Sequence, residues 1–240
     1  VGRVNNSGLV EVPMGMTLRD IVCKIGGGVP GGRRLKAVQT GGPSGGVIPE
    51  AALDVPVDFD ELTKAGSMMG SGGMIVMDDR ICMVNVAKYF TNFLVSESCG
   101  KCVPCREGVR RMNDILHDIC AGRGQEGDVE MLESMAKGIV DGSLCALGGS
   151  APNPVLTTLK YFRDEYVAHI QEKRCPAHVC QSLLTYTIND NCTGCVVCAR
   201  ACPTEAITGE KKEKHFIHQD ACIKCGKCFT VCRFDAVDKV

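Results

Sequence analysis

The amino-acid sequence predicts an α+β, multi-domain protein of 240 residues. Three observations indicate this fold class. Residues 1–80 are rich in glycine and contain short β-like runs, residues 81–174 have helical periodicity, and residues 188–240 repeat one cysteine pattern. We therefore predict three domains over these ranges, with a hinge at residues 175–187.

Composition narrows the class of protein. The chain carries 17 cysteines and a formal net charge of −1, which argues against nucleic-acid binding. It shows no secretory leader and no apolar run of about 18 residues, so we predict a cytoplasmic protein without a membrane span. In a reducing compartment, closely spaced cysteines usually bind metal, and a disulfide framework is the alternative. The chain starts at Val1 in mid-pattern, which predicts a fragment of a longer protein.

The first domain has the signals of a small mixed sheet crossed by a helix. Alternation over residues 9–12 predicts a strand, and residues 35–39 and 74–77 predict two more. Thr17 begins a helix that ends at Gly26.

The glycine-rich run at residues 41–46 allows two interpretations. A phosphate-binding loop is one, but the run lacks the Gly-Lys-Ser/Thr ending that such loops need. Tight turns that require positive φ are the other, and we favour them.

The second domain is predicted to be a four-helix bundle. Apolar stripes at helical spacing start at Met83, Val109 and Val129, the last behind an N-cap at Asp128. A fourth helix has Asn153 as its N-cap and Pro154 at its first position.

The same domain carries a cysteine motif of C-x2-C-x2-C type, formed by Cys99, Cys102 and Cys105. This spacing suits three corners of one [4Fe–4S] cluster, which needs a fourth thiolate. Cys145 is the nearest suitable residue, because an antiparallel helix pair between Cys105 and Cys145 would return the chain to the cluster.

Residues 188–240 contain an internal repeat at an offset of 30 residues. Each copy has the C-x2-C-x2-C-x3-C pattern of two-cluster bacterial ferredoxins, in which the fourth cysteine ligates the other cluster. We therefore predict two further [4Fe–4S] clusters, whose ligands are Cys192, Cys195, Cys198 and Cys232 for one and Cys222, Cys225, Cys228 and Cys202 for the other. Arg233 stands where the pattern has proline. The charged run at residues 211–215 is interpreted as a solvated turn, with a partner-docking patch as the alternative.

Five cysteines remain after these assignments. Cys23 and Cys120 lie in helical segments and are predicted to be buried thiols. Cys175 and Cys180 lie in the hinge, and antiparallel helix packing would bring Cys82 and His169 beside them. Three thiolates and one imidazole suit structural zinc, which would fix the hinge angle. His178 is the competing nitrogen ligand, and unligated thiols are the alternative to zinc.

Five motifs together resemble one family, the flavoprotein, NADH-binding subunit of respiratory complex I. They are GLVEVPMG (8–15), QTGGPSGG (39–46), GSGGMIVMD (70–78), ESCGKCVPCREG (97–108) and SLCALG (143–148). The added two-cluster tail resembles the beta subunit of electron-bifurcating, NAD-dependent [FeFe]-hydrogenases. The resemblance implies that residues 8–80 form a β-grasp domain of the soluble-ligand-binding type, and that Ala146 and Leu147 touch the flavin. It also implies a preceding FMN- and NADH-binding domain, which we expect to lie outside these 240 residues.

These inferences predict the electron-transfer portion of an NADH/FMN-linked oxidoreductase subunit, with no catalytic acid, base or nucleophile of its own. The resemblance implies an [FeFe]-hydrogenase catalytic subunit, a small thioredoxin-like [2Fe–2S] subunit and ferredoxin as partners. Two alternatives stay open. One is the diaphorase-type subunit of an NAD-dependent formate dehydrogenase or [NiFe]-hydrogenase, and the other is an independent ferredoxin-like carrier.

Overall fold

The computed structural model describes all residues from Val1 to Val240. Contacts along the chain divide it into two compact units, Val1–Ala177 and His178–Val240. None of the helices combines the length and the apolar character that crossing a membrane requires.

A three-stranded antiparallel sheet organises the start of the first unit. Its strands are β1 (Leu35–Thr40), β2 (Val47–Pro49) and β3 (Met74–Asp78), in the order β2–β1–β3. In the register, Val38 lies opposite Ile48 on one side and Val76 on the other, and all three are buried. The only parallel pairing is a single bridge from Gly2 to Val76.

Two short helices cover this sheet. Helix α1 (Leu18–Asp20) continues as a wider π-helical turn over Ile21–Ile25, and the Thr17 side chain accepts a hydrogen bond from the Asp20 N–H as its N-cap. Helix α2 (Phe59–Lys64) begins at Asp58, whose carboxylate accepts from the Glu61 N–H at 2.7 Å. Leu18 and Leu62 from these helices are fully buried in the same apolar cluster as the strands.

The predicted strand at residues 9–12 is not formed. Leu9 is fully exposed and Val10 is half exposed, and neither pairs with another strand. Val12 packs against the apolar cluster of the sheet, but no strand pairs with residues 9–12, and alternation stabilises a strand only when a neighbour supplies backbone hydrogen bonds.

Four longer helices follow the sheet. They are α3 (Met83–Glu97), α4 (Arg110–Cys120), α5 (Asp128–Gly142) and α7 (Asn153–Ile170), with the short α6 (Ala146–Ser150) between the last two. Helix α4 is preceded by a π-helical segment, Pro104–Val109. Helix α3 packs on α4 and α7, and α5 packs on α4 and α7.

Most of the apolar positions predicted for these helices are buried, as Met83, Val109, Met112 and Leu132 show, but Phe93 of α3 is 43% exposed. Two predicted N-caps are displaced by one residue. Asp128 and Asn153 are each the first residue of their helix, and the Asn153 amide donates instead to the Ser44 carbonyl at 3.1 Å.

The second unit is built from two similar halves. Strands β4 (Tyr186–Ile188) and β7 (Val237–Lys239) form one antiparallel pair, and β5 (Ile207–Thr208) and β6 (Phe216–Ile217) form another. Helices α8 (Val197–Ala201) and α9 (Lys227–Val231) pack on each other. Each begins after a residue in the left-handed region, Val196 and Gly226, so the repeat seen in the sequence is also a repeat of backbone conformation.

Candidate metal centres

Two cavities of the second unit are lined by cysteines from both halves of the repeat. The first contains Cys192, Cys195, Cys198 and Cys232, and the second contains Cys222, Cys225, Cys228 and Cys202. The fourth cysteine of each run thus lies with the first three of the other run. The rest of each wall is largely apolar, including Val237 in the first cavity and Ile217 in the second. A group that binds through thiolates and needs protection from water fits these surroundings.

Burial affects the thiols of these cavities. It raises the pKa of Cys228 to about 11, and it also raises the pKa of Cys198. Without a cation the thiols of Cys228 and Cys198 therefore stay protonated at neutral pH, and iron would have to displace their protons on binding.

The four cysteines predicted to hold the third cluster lie between helices of the first unit, with Cys99, Cys102 and Cys105 between α3 and α4 and Cys145 between α5 and α6. Cys105 is buried and its sulfur lies 3.3 Å from the Ser98 hydroxyl, whereas Cys99 and Cys145 are exposed and Cys102 is half-buried. The segment after Cys145 lies against Cys105, because a Cβ placed on Gly148 would be 3.4 Å from the Cys105 Cβ. Helices α4 and α5 occupy the chain between these two places.

Cys145 is prepared for ligation by its own backbone. The backbone N–H groups of Gly148 and Leu147, in the first turn of α6, lower the pKa of the Cys145 thiol. The thiolate is the form that binds iron, so this geometry favours a metal ligand at this position. Of the two residues implied to touch a flavin, Ala146 is exposed and Leu147 is half-buried.

A separate group of ligands surrounds the end of α7. One ligand atom from each of Cys82, His169, Cys175 and Cys180 lies within 4.8 Å of all the others, and all four residues are buried. A compact tetrahedral set of three sulfurs and one nitrogen is what zinc prefers in structural sites.

The orientation of His169 is fixed by its own helix. Its Nδ1 lies 2.7 Å from the Glu165 carbonyl, which can only accept, so Nδ1 carries the hydrogen. The lone pair is then on Nε2, which lies 3.3 Å from the Cys82 sulfur. Cys82 in turn caps α3, accepting from the Asn85 N–H at 3.4 Å. The helix that supplies the imidazole and the helix that supplies the first thiol thus meet at this group.

The sequence also made predictions for His178, Cys120 and Cys23. His178, the competing ligand, is outside this group, and its buried Nδ1 has no hydrogen-bond partner. Cys120 is buried as predicted, but Cys23 is exposed, because the π-helical turn places it on the solvent side of its segment.

Sequence reasoning missed two polar features near these sites. Lys36 and Glu165 form a buried ion pair at 2.5 Å, 10% and 7% exposed, that joins β1 to α7. His215 was included in the charged run, yet it is buried and lines the first cysteine cavity, whereas residues 211–214 are exposed.

Comparison with known proteins agrees with this arrangement. Residues 85–169 match the family described as the NADH-ubiquinone oxidoreductase-F iron-sulfur binding region, and residues 191–236 match the 4Fe-4S dicluster domain. The NADP-reducing hydrogenase subunit HndC of Solidesulfovibrio fructosivorans is 52% identical over 99% of this chain and 49% of its own length. The F 2 subunit of NADH-quinone oxidoreductase from Rhizobium meliloti is 51% identical over 74% of this chain and 42% of its own.

Among solved structures, the NAD+-reducing [NiFe]-hydrogenase in the H2-reduced state is similar. It shares 33% identity over 71% of this chain and 28% of its own, with a TM-score of 0.63. The chain spans about half the length, or less, of the relatives that it matches.

Proposed function

We propose that this chain, which is similar to the F subunits of NADH-quinone oxidoreductase and to the hydrogenase subunit HndC, is the electron-carrying portion of an NAD(P)-linked oxidoreductase. The observation that carries this proposal is the pair of apolar cavities, each lined by four cysteines. When bound there, [4Fe–4S] clusters supply one-electron transfer. The role of the chain is to hold the clusters, exclude water and set their potentials.

Three such clusters are proposed for each chain. The two cavities of the second unit would hold two of them, and Cys99, Cys102, Cys105 and Cys145 would hold the third. Support for the third comes from the return of the chain to Cys105 after Cys145 and from the lowered pKa of Cys145. The group of Cys82, His169, Cys175 and Cys180 would bind structural zinc.

The first unit fits a larger flavoprotein. Its antiparallel sheet with helix α1 across it supports the proposed β-grasp domain, and helices α3, α4, α5 and α7 support a bundle. The exposed Ala146 and Cys145 present one face of the third cluster site to the outside. A flavin held by another domain would deliver single electrons at this face, so FMN and NADH would bind outside the described residues.

The extent of the matches favours a hydrogenase of the HndC type as the complex. HndC aligns over 99% of this chain, whereas the [NiFe]-hydrogenase aligns over 71%. The dicluster domain would therefore extend the electron path toward an [FeFe]-hydrogenase subunit, a thioredoxin-like [2Fe–2S] subunit or ferredoxin. A diaphorase-type subunit of a [NiFe]-hydrogenase is the second candidate, favoured by the structural similarity alone.

Metal analysis of anaerobically purified chain tests the cluster assignment. Three clusters require about 12 iron and 12 sulfide per chain, since each cubane holds four of each. Cys145→Ser should lower the iron content by a third and leave the two clusters of the second unit assembled. A wild-type iron content near 8 in fully loaded protein would remove the Cys99 cluster from the proposal. Nickel in the co-purified catalytic subunit would favour the second candidate.

A further inference from the structure

The first cysteine cavity contains one buried imidazole. His215 is 2% exposed and lines this cavity with Cys192, Cys195, Cys198 and Cys232. Its Nδ1 lies 3.1 Å from the Glu213 carbonyl oxygen. Its Nε2 is buried and has no hydrogen-bond partner within the protein. Buried polar atoms are nearly always paired, so an orphan beside a cavity indicates a group that fills it.

The fold holds the ring at this position. A Cβ on Gly209 would lie 2.8 Å from the His215 Cγ, so the residue opposite the ring has to be glycine. Lys214, the preceding residue, pairs with Asp190 at 2.6 Å. The ring thus has little freedom to turn away and satisfy Nε2 elsewhere.

The second cavity differs from the first in this respect. No histidine lines it, and its buried aromatic ring is Tyr186. The two halves of the repeat therefore give their cysteines similar spacing but different polar neighbours.

We propose that His215 donates a hydrogen bond from Nε2 to a sulfur of the cluster held by Cys192, Cys195, Cys198 and Cys232, and thereby raises its reduction potential. The inference rests on the proposed cluster assignment. The cluster becomes more negative by one charge when it accepts one electron, so a hydrogen bond donated to one of its sulfurs stabilises the reduced form more than the oxidised form. No proton has to move in this step.

Nitrogen hyperfine coupling tests the contact in the wild-type chain. The full chain is labelled with 15N-histidine, loaded with iron and sulfide, reduced with dithionite and measured by pulsed electron paramagnetic resonance. We expect a 15N coupling to a reduced cluster that disappears in His215→Leu. It should persist in His218→Leu, a matched control, because His218 is exposed and contacts the Thr208 hydroxyl at 2.8 Å.

Iron content separates the two possible failures. Wild type with both clusters of the second unit assembled but without a 15N coupling overturns the inference and leaves the proposed function standing. Wild type that lacks those clusters overturns both.

A redox titration of the same variants measures the consequence. His215→Leu should lower the equilibrium constant for reduction of one cluster about tenfold, which is a shift of about −59 mV for one electron. His218→Leu should titrate like wild type, and His215→Gln, which keeps an N–H donor, should recover part of the shift. An unchanged potential in His215→Leu overturns the inference. If His215→Leu does not assemble its cluster, the His215→Gln variant decides. A reduction potential of His215→Gln that lies about 59 mV or more below the wild-type value would overturn the inference.

Discussion

Replacement of His169 by alanine should release zinc from the group formed with Cys82, Cys175 and Cys180. Structural zinc sites bind with about 10–16 kcal/mol, which is roughly 2.5–4 kcal/mol for each of four ligands. At about 1.4 kcal/mol per tenfold, loss of one ligand weakens binding roughly 10²- to 10³-fold. We expect the upper part of this range. The imidazole is fully buried and its Nδ1–H is already held by the Glu165 carbonyl, so the ring loses little entropy on binding.

The assay is chelator competition on anaerobically purified full-length chain, with zinc and iron measured by mass spectrometry. Wild type should keep one zinc per chain at a chelator concentration that strips His169→Ala. His178→Ala is the matched control. His178 lies between the ligands Cys175 and Cys180 in the chain but is not a member of the ligand group. If His178→Ala loses zinc while His169→Ala keeps it, the ligand choice is wrong, and if wild type carries none, the site does not exist.

Three further predictions test other parts of the structure. In the metal-free chain, Cys145 should react with iodoacetamide at lower pH than the exposed Cys23, as followed by mass spectrometry over time. The reason is that two backbone N–H groups lower the pKa of Cys145 and so enlarge its thiolate fraction near neutrality. Equal pH profiles for the two cysteines would contradict this. Lys36→Met should destabilise the first unit by about 3–5 kcal/mol, since it leaves the buried Glu165 carboxylate without its partner, and the thermal midpoint should largely recover in Lys36→Met/Glu165→Leu. Gly46→Ala should lower the midpoint more than Gly73→Ala, because the Cβ at position 46 would lie 2.5 Å from the Gly66 carbonyl, whereas Gly73 faces open space and has no positive φ. The reverse order would contradict the packing around Gly46.

The features that the sequence predicted well depend on local spacing. Helical periodicity places Val109, Met112 and Leu132 on buried faces whichever neighbour covers them, and they are buried. The prediction of a strand at residues 9–12 is wrong because a strand needs a partner, and local alternation does not show whether a partner strand exists. Helix α2 was overlooked although Asp58, followed by Glu61 three residues later, is a start signal of the capping-box kind. Six residues of helix leave too little periodicity to detect.

Features that join distant parts of the chain required the structure. Lys36 and Glu165 carry no signal that they would pair across 129 positions, because burial of an ion pair follows from how the sheet packs on α7. His169 lies 87 residues from Cys82, and it could be proposed only because helix ends are predictable and antiparallel packing brings them together. The prediction that His169 lies beside Cys82 therefore depends on one assumption, that the first and fourth helices of the bundle pack antiparallel.

His215 shows how a signal can be present and still be misread. It follows four charged residues, and the composition of that run favoured a solvated turn, which residues 211–214 do form. The next residues alternate instead: His215 and Ile217 are buried, while Phe216 and His218 are exposed. That period of two places the imidazole, one residue before β6, on the same side of the chain as the core residue Ile217. The buried Nε2 of this histidine has no hydrogen-bond partner within the protein, and the residue lines the cavity of Cys192, Cys195, Cys198 and Cys232, so a group bound in that cavity can supply the partner.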